Sequence, residues 1–251
     1  MSEEAHIMRK EMPEKVIVFL GPSLPAEEAY DILRPYPAGG DIPDDLSGTD
    51  TSVIYRSPAA RGDITKAVAD GADLICLIDG VFFESSSVGH KEIMAALKAG
   101  VRMIGAASMG ALRACETDIF GMTGIGTVYE MYRSGEIESD DEVAVLCSPV
   151  TGEALSEALV NIRKTLERAE SQNVITADER EILLRAAVDI YYPERTYDAL
   201  IEKTEKEKAI DPETLSSFRN WLPGNARDVK REDAVSALKT VAGMIRQKTE
   251  G

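Results

Sequence analysis

Histidine and cysteine are scarce in this chain, which has two histidines and three cysteines among 251 residues. The cysteines, Cys76, Cys115 and Cys147, are far apart in the sequence, and no Cys-x-x-Cys pair occurs. A structural zinc site draws its four ligands from closely spaced Cys and His residues, so we expect no metal. An odd number of separated cysteines, two of them within apolar runs, is typical of buried, reduced thiols.

Lysine and arginine are also in short supply, with 28 basic against 44 acidic side chains and a net charge of −16. Residues 1–150 carry 12 basic and 25 acidic side chains, a net charge of −13, whereas residues 151–251 carry 16 and 19, a net charge of −3. An acidic surface repels phosphate backbones, which argues against nucleic acid as a partner and favours a basic protein. Solubility alone is the other explanation of the acidity.

Apolar runs long enough to cross a bilayer are missing, and the first residues lack the apolar core of a secretory signal. We therefore expect no association with a membrane and a place in the cytoplasm, a compartment that keeps thiols reduced.

Short apolar runs that end at turn-forming residues alternate with helical segments in the first part of the chain. The predicted strands cover residues 16–20, 52–55, 73–78, 101–105 and 142–147, and the predicted helices cover residues 26–33, 61–71 and 90–99. Nearly all-apolar strands that alternate with helices indicate parallel pairing in a sheet with both faces covered. The carboxyl ends of such strands share one edge, where ligand sites gather.

From residue 151 the apolar residues recur with the spacing of a helix, beginning at Ala154. Thr176 with Glu179 predicts a capping box, and Asp211 before Pro212 predicts another helix start. We therefore predict an α/β fold with a mostly parallel sheet flanked by helices, followed by a helical C-terminal region. The predicted parts are a flexible arm at residues 1–14, an α/β core at residues 15–150 and a helical region at residues 151–251.

Ser108 stands between an apolar run and a helix-forming segment. The pattern predicts a strand, a sharp turn and a helix, with Ser108 at the apex and small residues, Ala106 and Gly110, two positions away on either side. A hydroxyl at a helix N-terminus is suited to act as a nucleophile, because free backbone N–H groups there can bind developing negative charge. The alternative is a serine that merely closes a strand-helix turn.

A serine nucleophile needs a base, and two neighbouring residues are candidates. One is His90, with Asp79 as its orienting carboxylate. The other is Lys91, for which partial burial and the positive end of its helix would disfavour the ammonium form. Both begin the helix that follows the strand ending near Asp79, so the order of the sequence does not choose between them.

Backbone N–H groups of Met109 and Gly110 are the predicted oxyanion donors, with help from the turn at residues 21–23. Arg113 can bind a carboxylate or brace Glu116.

Several motifs resemble the TfuA-like core domain. They are His90-Lys-Glu-Ile93; Gly105-Ala-Ala-Ser-Met-Gly-Ala-Leu-Arg-Ala114 with Glu116; Phe120-Gly-Met122; Gly124-x-Gly126; Asp140-Asp-Glu-Val-Ala-Val145; Gly21-Pro-Ser-Leu24; and Arg56-x-Pro58 with Gly62-Asp63. These motifs cover most of residues 16–147.

The resemblance implies that the chain works beside a YcaO enzyme, which activates a backbone amide with ATP so that sulfur can replace the oxygen. The chain would supply this sulfur by hydrolysing the C-terminal thiocarboxylate of a ubiquitin-like sulfur carrier similar to ThiS. In archaeal relatives the thioamidated protein is methyl-coenzyme M reductase, an enzyme of methanogenesis, and related pairs modify peptide natural products. No cofactor is implied.

The family is associated with a Ser-Lys pair, and in this chain the matching serine is Ser108, with Lys91 assigned as its partner. The chain departs from the family pattern at Cys115, where alanine is expected, and at Cys147, where histidine is expected.

A carrier tail needs a narrow groove, and the loops at residues 35–50 and 80–89 are its expected walls. The expected substrate-binding residues are Gly21, Pro22, Ser23, Arg56, Asp79, His90 and Arg113, with Arg56 or Arg113 meeting a carboxylate. Two other functions stay open: a non-catalytic adaptor that binds YcaO and presents its substrate, and a nucleotide-binding module. The second is weaker, since no GxGxxG or Walker sequence follows the first strand.

Overall fold

The computed structural model describes residues 13–34, 52–82 and 86–246. Its strands are Lys15–Phe19 (β1), Ser52–Arg56 (β2), Leu74–Leu77 (β3), Arg102–Ala106 (β4) and Thr123–Ile125 (β5). Its helices are Ala26–Leu33 (α1), Asp63–Ala69 (α2), His90–Lys98 (α3), Met109–Thr117 (α4), Thr127–Ser134 (α5), Leu159–Ser171 (α6), Ala177–Val188 (α7), Tyr197–Glu207 (α8), Pro212–Trp221 (α9) and Val229–Arg246 (α10).

The five strands form one parallel sheet in the order β2-β1-β3-β4-β5. All four residues of β3 are buried, as are the last four of β1 and of β4. Strands buried on both faces need helices on both sides, which explains their nearly all-apolar sequences. The predicted α/β fold, with a parallel sheet flanked by helices and a helical C-terminal region, is confirmed.

The direction of strand addition reverses at β1, because β2 lies on one side of it and β3 on the other. In open parallel sheets, ligands bind at the carboxyl edge beside such a switch point. The turns at residues 21–23 and at Asp79 follow the two strands that meet there.

The chain divides into two compact units, residues 1–136 with 231–251 and residues 137–230. In the first unit, α10 places Ala234, Leu238 and Val241 in the same apolar core as Val16 and Leu74 of the sheet. This packing follows from the helical spacing of the apolar side chains of α10. The division differs from the predicted boundary at residue 150, because the last helix joins the sheet. The predicted arm at residues 1–14 lies, except for its last two residues, outside the described part of the chain.

The second unit is built from α6 to α9 around an apolar core that includes Leu166, Leu183, Leu200 and Phe218. The predicted capping box of α7 is confirmed, since Thr176 Oγ1 accepts from Glu179 N at 3.3 Å and Glu179 Oε2 accepts from Thr176 N at 2.7 Å. The predicted start of α9 is also confirmed, because Asp211 Oδ2 accepts from Glu213 N at 2.9 Å.

The predicted strand at residues 142–147 is wrong. Residues Asp140–Glu142 form a 3-10 turn, and Cys147 pairs with Ala154 in an isolated antiparallel bridge. The buried Glu142 carboxylate is bound by Arg163 through two hydrogen bonds of 2.9 and 2.7 Å, which removes this segment from strand pairing. The sheet takes β5 as its fifth strand instead.

The predicted helical pattern starting at Ala154 is also wrong at its start, because α6 begins at Leu159. The residues before it belong to a hairpin, in which Leu155 N donates to Leu146 O at 2.7 Å.

No helix in the described parts of the chain is long and apolar enough to cross a membrane.

Candidate functional site

Ser108 lies at the N-cap of α4, directly after β4, as the sequence predicts. The turn before it is a γ-turn, in which Ser108 N donates to Ala106 O at 2.7 Å and Ala107 adopts a φ of +66°. A positive φ is strained for an alanine, and such strain is held in place by the surrounding structure, commonly at functional sites. The turn therefore fixes Ser108 at the carboxyl edge of the sheet.

Two glycines let α4 pack closely against the sheet. A Cβ at Gly110 would lie 1.8 Å from Leu77 O, and a Cβ at Gly105 would lie 2.1 Å from Gly110 O. Position 110 requires glycine because α4 lies against the backbone of β3 there, not only because a small residue leaves the turn at Ser108 uncrowded. Gly105 was missed, although a glycine in an otherwise bulky strand signals close backbone approach.

The surroundings of Ser108 leave its hydroxyl unengaged. The residue is 1% exposed, and no hydrogen bond to its side chain is found within the described residues. Its backbone oxygen accepts from Ala111 N at 2.9 Å and Leu112 N at 3.3 Å, which starts the helix. The hydroxyl is therefore buried without an internal hydrogen-bond partner.

The two predicted oxyanion donors differ in whether their backbone N–H group already forms a hydrogen bond. Gly110 N donates to Ile78 O at 3.2 Å, so its N–H group is used in packing α4 against the end of β3. The Met109 N–H has no hydrogen-bond partner in the part of the chain that the structure describes. Of the two N–H groups, that of Met109 is thus the one without a partner, and the oxyanion role stays a prediction for both residues.

Asp79 holds the turn at residues 21–23. Its buried carboxylate accepts from Gly21 N at 2.9 Å and Ser23 N at 3.1 Å through Oδ2, and from Ser23 Oγ at 2.6 Å through Oδ1. Pro22 is half-buried in the same turn. Both carboxylate oxygens thus bind this turn, and the described residues show no hydrogen bond between Asp79 and His90.

His90 pairs with Glu116 instead, since His90 Nε2 lies 2.7 Å from Glu116 Oε2. Arg113 Nη1 donates to the same oxygen at 2.6 Å, and Arg113 Nε donates to Val88 O at 2.7 Å. This cluster joins the start of α3 to the middle and end of α4. Arg113 is only 11% exposed, so the bracing alternative is confirmed over a free carboxylate-binding role.

Lys91 lies in the first turn of α3 and is exposed, so the partial burial expected from the sequence is not found. No hydrogen bond or ion pair of its ammonium group is found among the described residues. The helix start that carries it is fixed by Glu92, whose Oε1 accepts from Gly89 N at 2.7 Å.

Glu92 also joins two helices, because its Oε2 accepts from Gly62 N at 3.0 Å and from Ile64 N at 3.2 Å at the start of α2. Glu92 was not among the residues for which the sequence predicted a role. The spacing of Glu92, three positions after the N-cap, is the signal of a capping box that could have found it.

The guanidinium group of Arg56 is held by contacts with other residues of the chain. Its Nη2 donates to Asp70 Oδ2 at 2.5 Å, and its guanidinium carbon lies 5.9 Å from the centroid of the Phe19 ring. The hydrogen bond from Arg56 holds the pKa of Asp70 below its usual value. Of the predicted groove walls, residues 35–50 lie outside the described residues, as does part of residues 80–89.

Comparison with known protein families identifies a family that part of this chain resembles. Residues 79–196 match the family described as TfuA-like protein. Over this part, somewhat less than half of its length, the chain is similar to TfuA-like proteins. The resemblance inferred from the motifs is thereby confirmed, and the match contains Asp79, His90, Lys91, Ser108 and Arg113, while the turn at residues 21–23 and Arg56 precede it.

The TfuA-like match also continues beyond the motifs quoted from the sequence, into the helical second unit. Proteins of the TfuA-like family are associated with YcaO partners in general. No match to the chain is found among curated proteins.

Proposed function

We propose that this protein is a cytoplasmic hydrolase that releases sulfide from the C-terminal thiocarboxylate of a ThiS-like carrier and supplies it to a YcaO enzyme for thioamidation. The observation that carries the proposal is Ser108, a hydroxyl without an internal partner on a strained turn at a helix N-terminus. The family match contributes the class of partner.

The reaction begins when Ser108 Oγ attacks the carbonyl carbon of the thiocarboxylate. A base takes the hydroxyl proton, the oxyanion forms beside the Met109 N–H, and the C–S bond then breaks. The proton that the base took from Ser108 passes to the departing sulfur, which leaves as hydrosulfide. Water then attacks the acyl-serine ester, which frees the carrier carboxylate and restores the hydroxyl.

Lys91 is the base that we assign, and the contacts of its neighbour support this choice. His90 is paired with Glu116, which lies eight positions after Ser108 on α4, about 12 Å along a helix axis. Asp79, the carboxylate expected to orient His90, is engaged by the turn at residues 21–23. Lys91 adjoins the same edge on a fixed helix start, and its exposed ammonium group is free to move toward a bound carrier tail.

The first test compares Ser108→Ala with Ser217→Ala, a control at an exposed serine of α9 in the second unit. Sulfide release from a thiocarboxylated ThiS-like carrier is measured with each purified chain. We expect Ser108→Ala to lower the rate by at least about 10³-fold, as for loss of a nucleophile, and Ser217→Ala to leave it unchanged. Unchanged release by Ser108→Ala would remove this residue from the mechanism.

The second test separates the two bases. We expect Lys91→Ala to abolish sulfide release and His90→Ala to retain most of it. Loss of activity only in His90→Ala would overturn the assignment of Lys91.

A non-catalytic adaptor is the second candidate function, and the exposure of Lys91 is the observation that favours it. The two functions differ in a coupled reaction with YcaO. A hydrolase with Ser108→Ala supports thioamidation from free sulfide but not from the thiocarboxylated carrier, whereas an adaptor with the same substitution supports both.

A further inference from the structure

Residues 146–156 form a small antiparallel hairpin in the second unit, which we call the 146–156 hairpin. Around the Cys147–Ala154 bridge, Leu155 N donates to Leu146 O at 2.7 Å and Ser148 N donates to Glu153 O at 2.8 Å. Leu146 N also donates to Ser156 Oγ at 2.8 Å, which anchors the base of the hairpin. Two strands alone are marginal in water, and a third strand stabilises such a unit.

The hairpin exposes apolar side chains. Leu146 is 41% exposed and Leu155 is 55% exposed, and they face each other across the strands and so share one face. Val150, in the loop at the tip, is 90% exposed. These are three of the eight large apolar side chains exposed in the described part of the chain, and they fall within eleven consecutive residues.

Tyr191 is a further exposed apolar side chain of the second unit; it is 66% exposed and packs edge-on against Tyr192 with ring centroids 5.0 Å apart. Partial burial raises the pKa of Tyr192, with smaller contributions from Tyr191, Asp141 and Cys147, so the tyrosine pair lies beside the hairpin.

The sequence around the hairpin is acidic, although Asp141 pairs with Arg195 and Glu142 with Arg163. Residues 134–162 contain seven acidic side chains and no lysine or arginine. Glu153 lies two positions before Leu155 and so projects from the same face of its strand, and Glu138 and Asp140 are exposed nearby in the sequence. An apolar pair within an acidic surface is complementary to a segment that carries both apolar and basic residues.

One edge of the hairpin is open for backbone pairing. In an antiparallel pair, the residues of the bridge that do not bond each other direct their N–H and C=O groups outward. Ala154 is exposed, and its backbone makes no hydrogen bond within the described residues. An extended peptide that adds to a sheet edge uses such groups for affinity and uses alternate side chains for specificity.

We infer that the 146–156 hairpin binds a basic, extended segment of a partner protein, which adds as a third strand beside Ala154. Side chains on one face of this segment alternate between a basic residue against Glu153 and an apolar residue against Leu155. The inference is independent of the chemistry of Ser108.

The test uses the full chain and a labelled peptide, Lys-Thr-Val-Thr-Lys-Thr-Val-Thr-Lys, whose alternate residues are basic and apolar. Fluorescence anisotropy measures its binding, and the same peptide with Glu in place of Lys is the control. We expect the basic peptide to bind and the acidic one not to bind. Absence of binding by the basic peptide would overturn the inference.

Variants then locate the binding. Leu155→Ser and Glu153→Lys are each expected to weaken binding of the basic peptide by about tenfold or more. Ile119→Ser, at a side chain 82% exposed in the other unit, is the matched control and is expected to leave binding unchanged. An equal affinity for all four chains would mean that acidity alone attracts the peptide, and would overturn the inference.

Hydrogen exchange gives a second readout that needs no substitution. Bound peptide is expected to slow exchange of backbone amides in residues 153–156, because the amide of Ala154 becomes paired. Ala154→Pro removes this donor at an edge position where proline is tolerated, and it is expected to weaken binding as well. Protection confined to other segments would contradict strand addition.

Discussion

The backbone at Ala107 explains how a serine comes to lie at the carboxyl edge without an internal hydrogen bond. A positive φ at a non-glycine residue is unfavourable by about 1–3 kcal/mol and persists only where neighbouring contacts impose it. Here the contacts are the packing of Gly110 against β3 and the hydrogen bond from Gly110 N to Ile78 O. The packing of Gly110 thus helps to fix the position of Ser108.

Gly110→Ala is expected to destabilise the chain by about 3 kcal/mol or more, because its Cβ would overlap the backbone oxygen of Leu77. Gly243→Ala is the matched control, since this helical glycine is exposed and a Cβ there meets nothing within 4 Å. The control is expected to stabilise the chain by about 0.5–1 kcal/mol through helix propensity. Urea unfolding measures both, and a similar effect for the two would contradict the packing role of Gly110.

Glu116→Gln tests whether the pairing of His90 has a catalytic role. With Lys91 as the base, loss of the Glu116 charge is expected to change sulfide release by less than about threefold. If His90 were the base, loss of its carboxylate partner would be expected to lower the rate by several orders of magnitude. A large loss in the sulfide-release assay would therefore contradict the Ser-Lys assignment.

Helix starts in the first unit are fixed by carboxylates that come from other elements. Glu92 of α3 binds the start of α2 as well as its own, and Asp233 of α10 accepts from Thr127 N at 2.8 Å and Val128 N at 2.7 Å at the start of α5. Carboxylates are favourable at helix N-termini because the backbone dipoles and free N–H groups there attract negative charge. These contacts join α2 to α3 and α5 to α10.

The titration of Asp233 makes the stability of the folded chain depend on pH. Burial raises its pKa to about 6, against the hydrogen bonds from Val128 and Thr127, which lower it. The folded chain therefore holds the proton more tightly than the unfolded chain, so this group's contribution to the free energy of unfolding is greatest below about pH 4. It falls by up to about 3 kcal/mol as the pH rises through and past the folded pKa of about 6.

Asp233→Asn removes this titration. We expect the difference in unfolding free energy between the natural chain and the variant to shift by up to about 3 kcal/mol in favour of the variant between about pH 3 and pH 7. Urea unfolding at several pH values measures the difference. A difference that stays constant over this range would contradict the raised pKa.

The elements that the sequence predicts well are those that depend on local pattern. The apolar runs of β1, β3 and β4, the turn at Ser108 and the capping box at Thr176 all follow from neighbouring residues. The failures involve distant partners: Asp79 with the turn at residues 21–23, His90 with Glu116, and Glu142 with Arg163. Periodicity and spacing do not say which of several carboxylates a side chain meets.

Over the molecule as a whole, one compact unit is built from two segments that are far apart in the chain. The chain builds the sheet, forms the second unit from residues 137–230, and returns to the sheet with α10. The helical pattern of residues 231–246 predicts that helix but not its place, since one apolar face fits a sheet or another helix equally well. The N-terminal strand and the C-terminal helix consequently share one core.

Leu238→Ala tests whether α10 contributes to the core of the sheet. Leu238 is fully buried in the core of the sheet, so its truncation is expected to destabilise the chain by about 2–5 kcal/mol. Leu155→Ala, at an exposed leucine, is expected to change stability by less than about 0.5 kcal/mol. Equal effects in urea unfolding would show that α10 contributes little to the core.

Sulfide release from a thiocarboxylated carrier, followed with the purified natural chain and with Ser108→Ala, decides whether this protein is a hydrolase. We expect release by the natural chain and its loss in Ser108→Ala, with folding and thermal midpoint retained. Release at the same rate by both chains, or by neither, would rule out the proposed reaction.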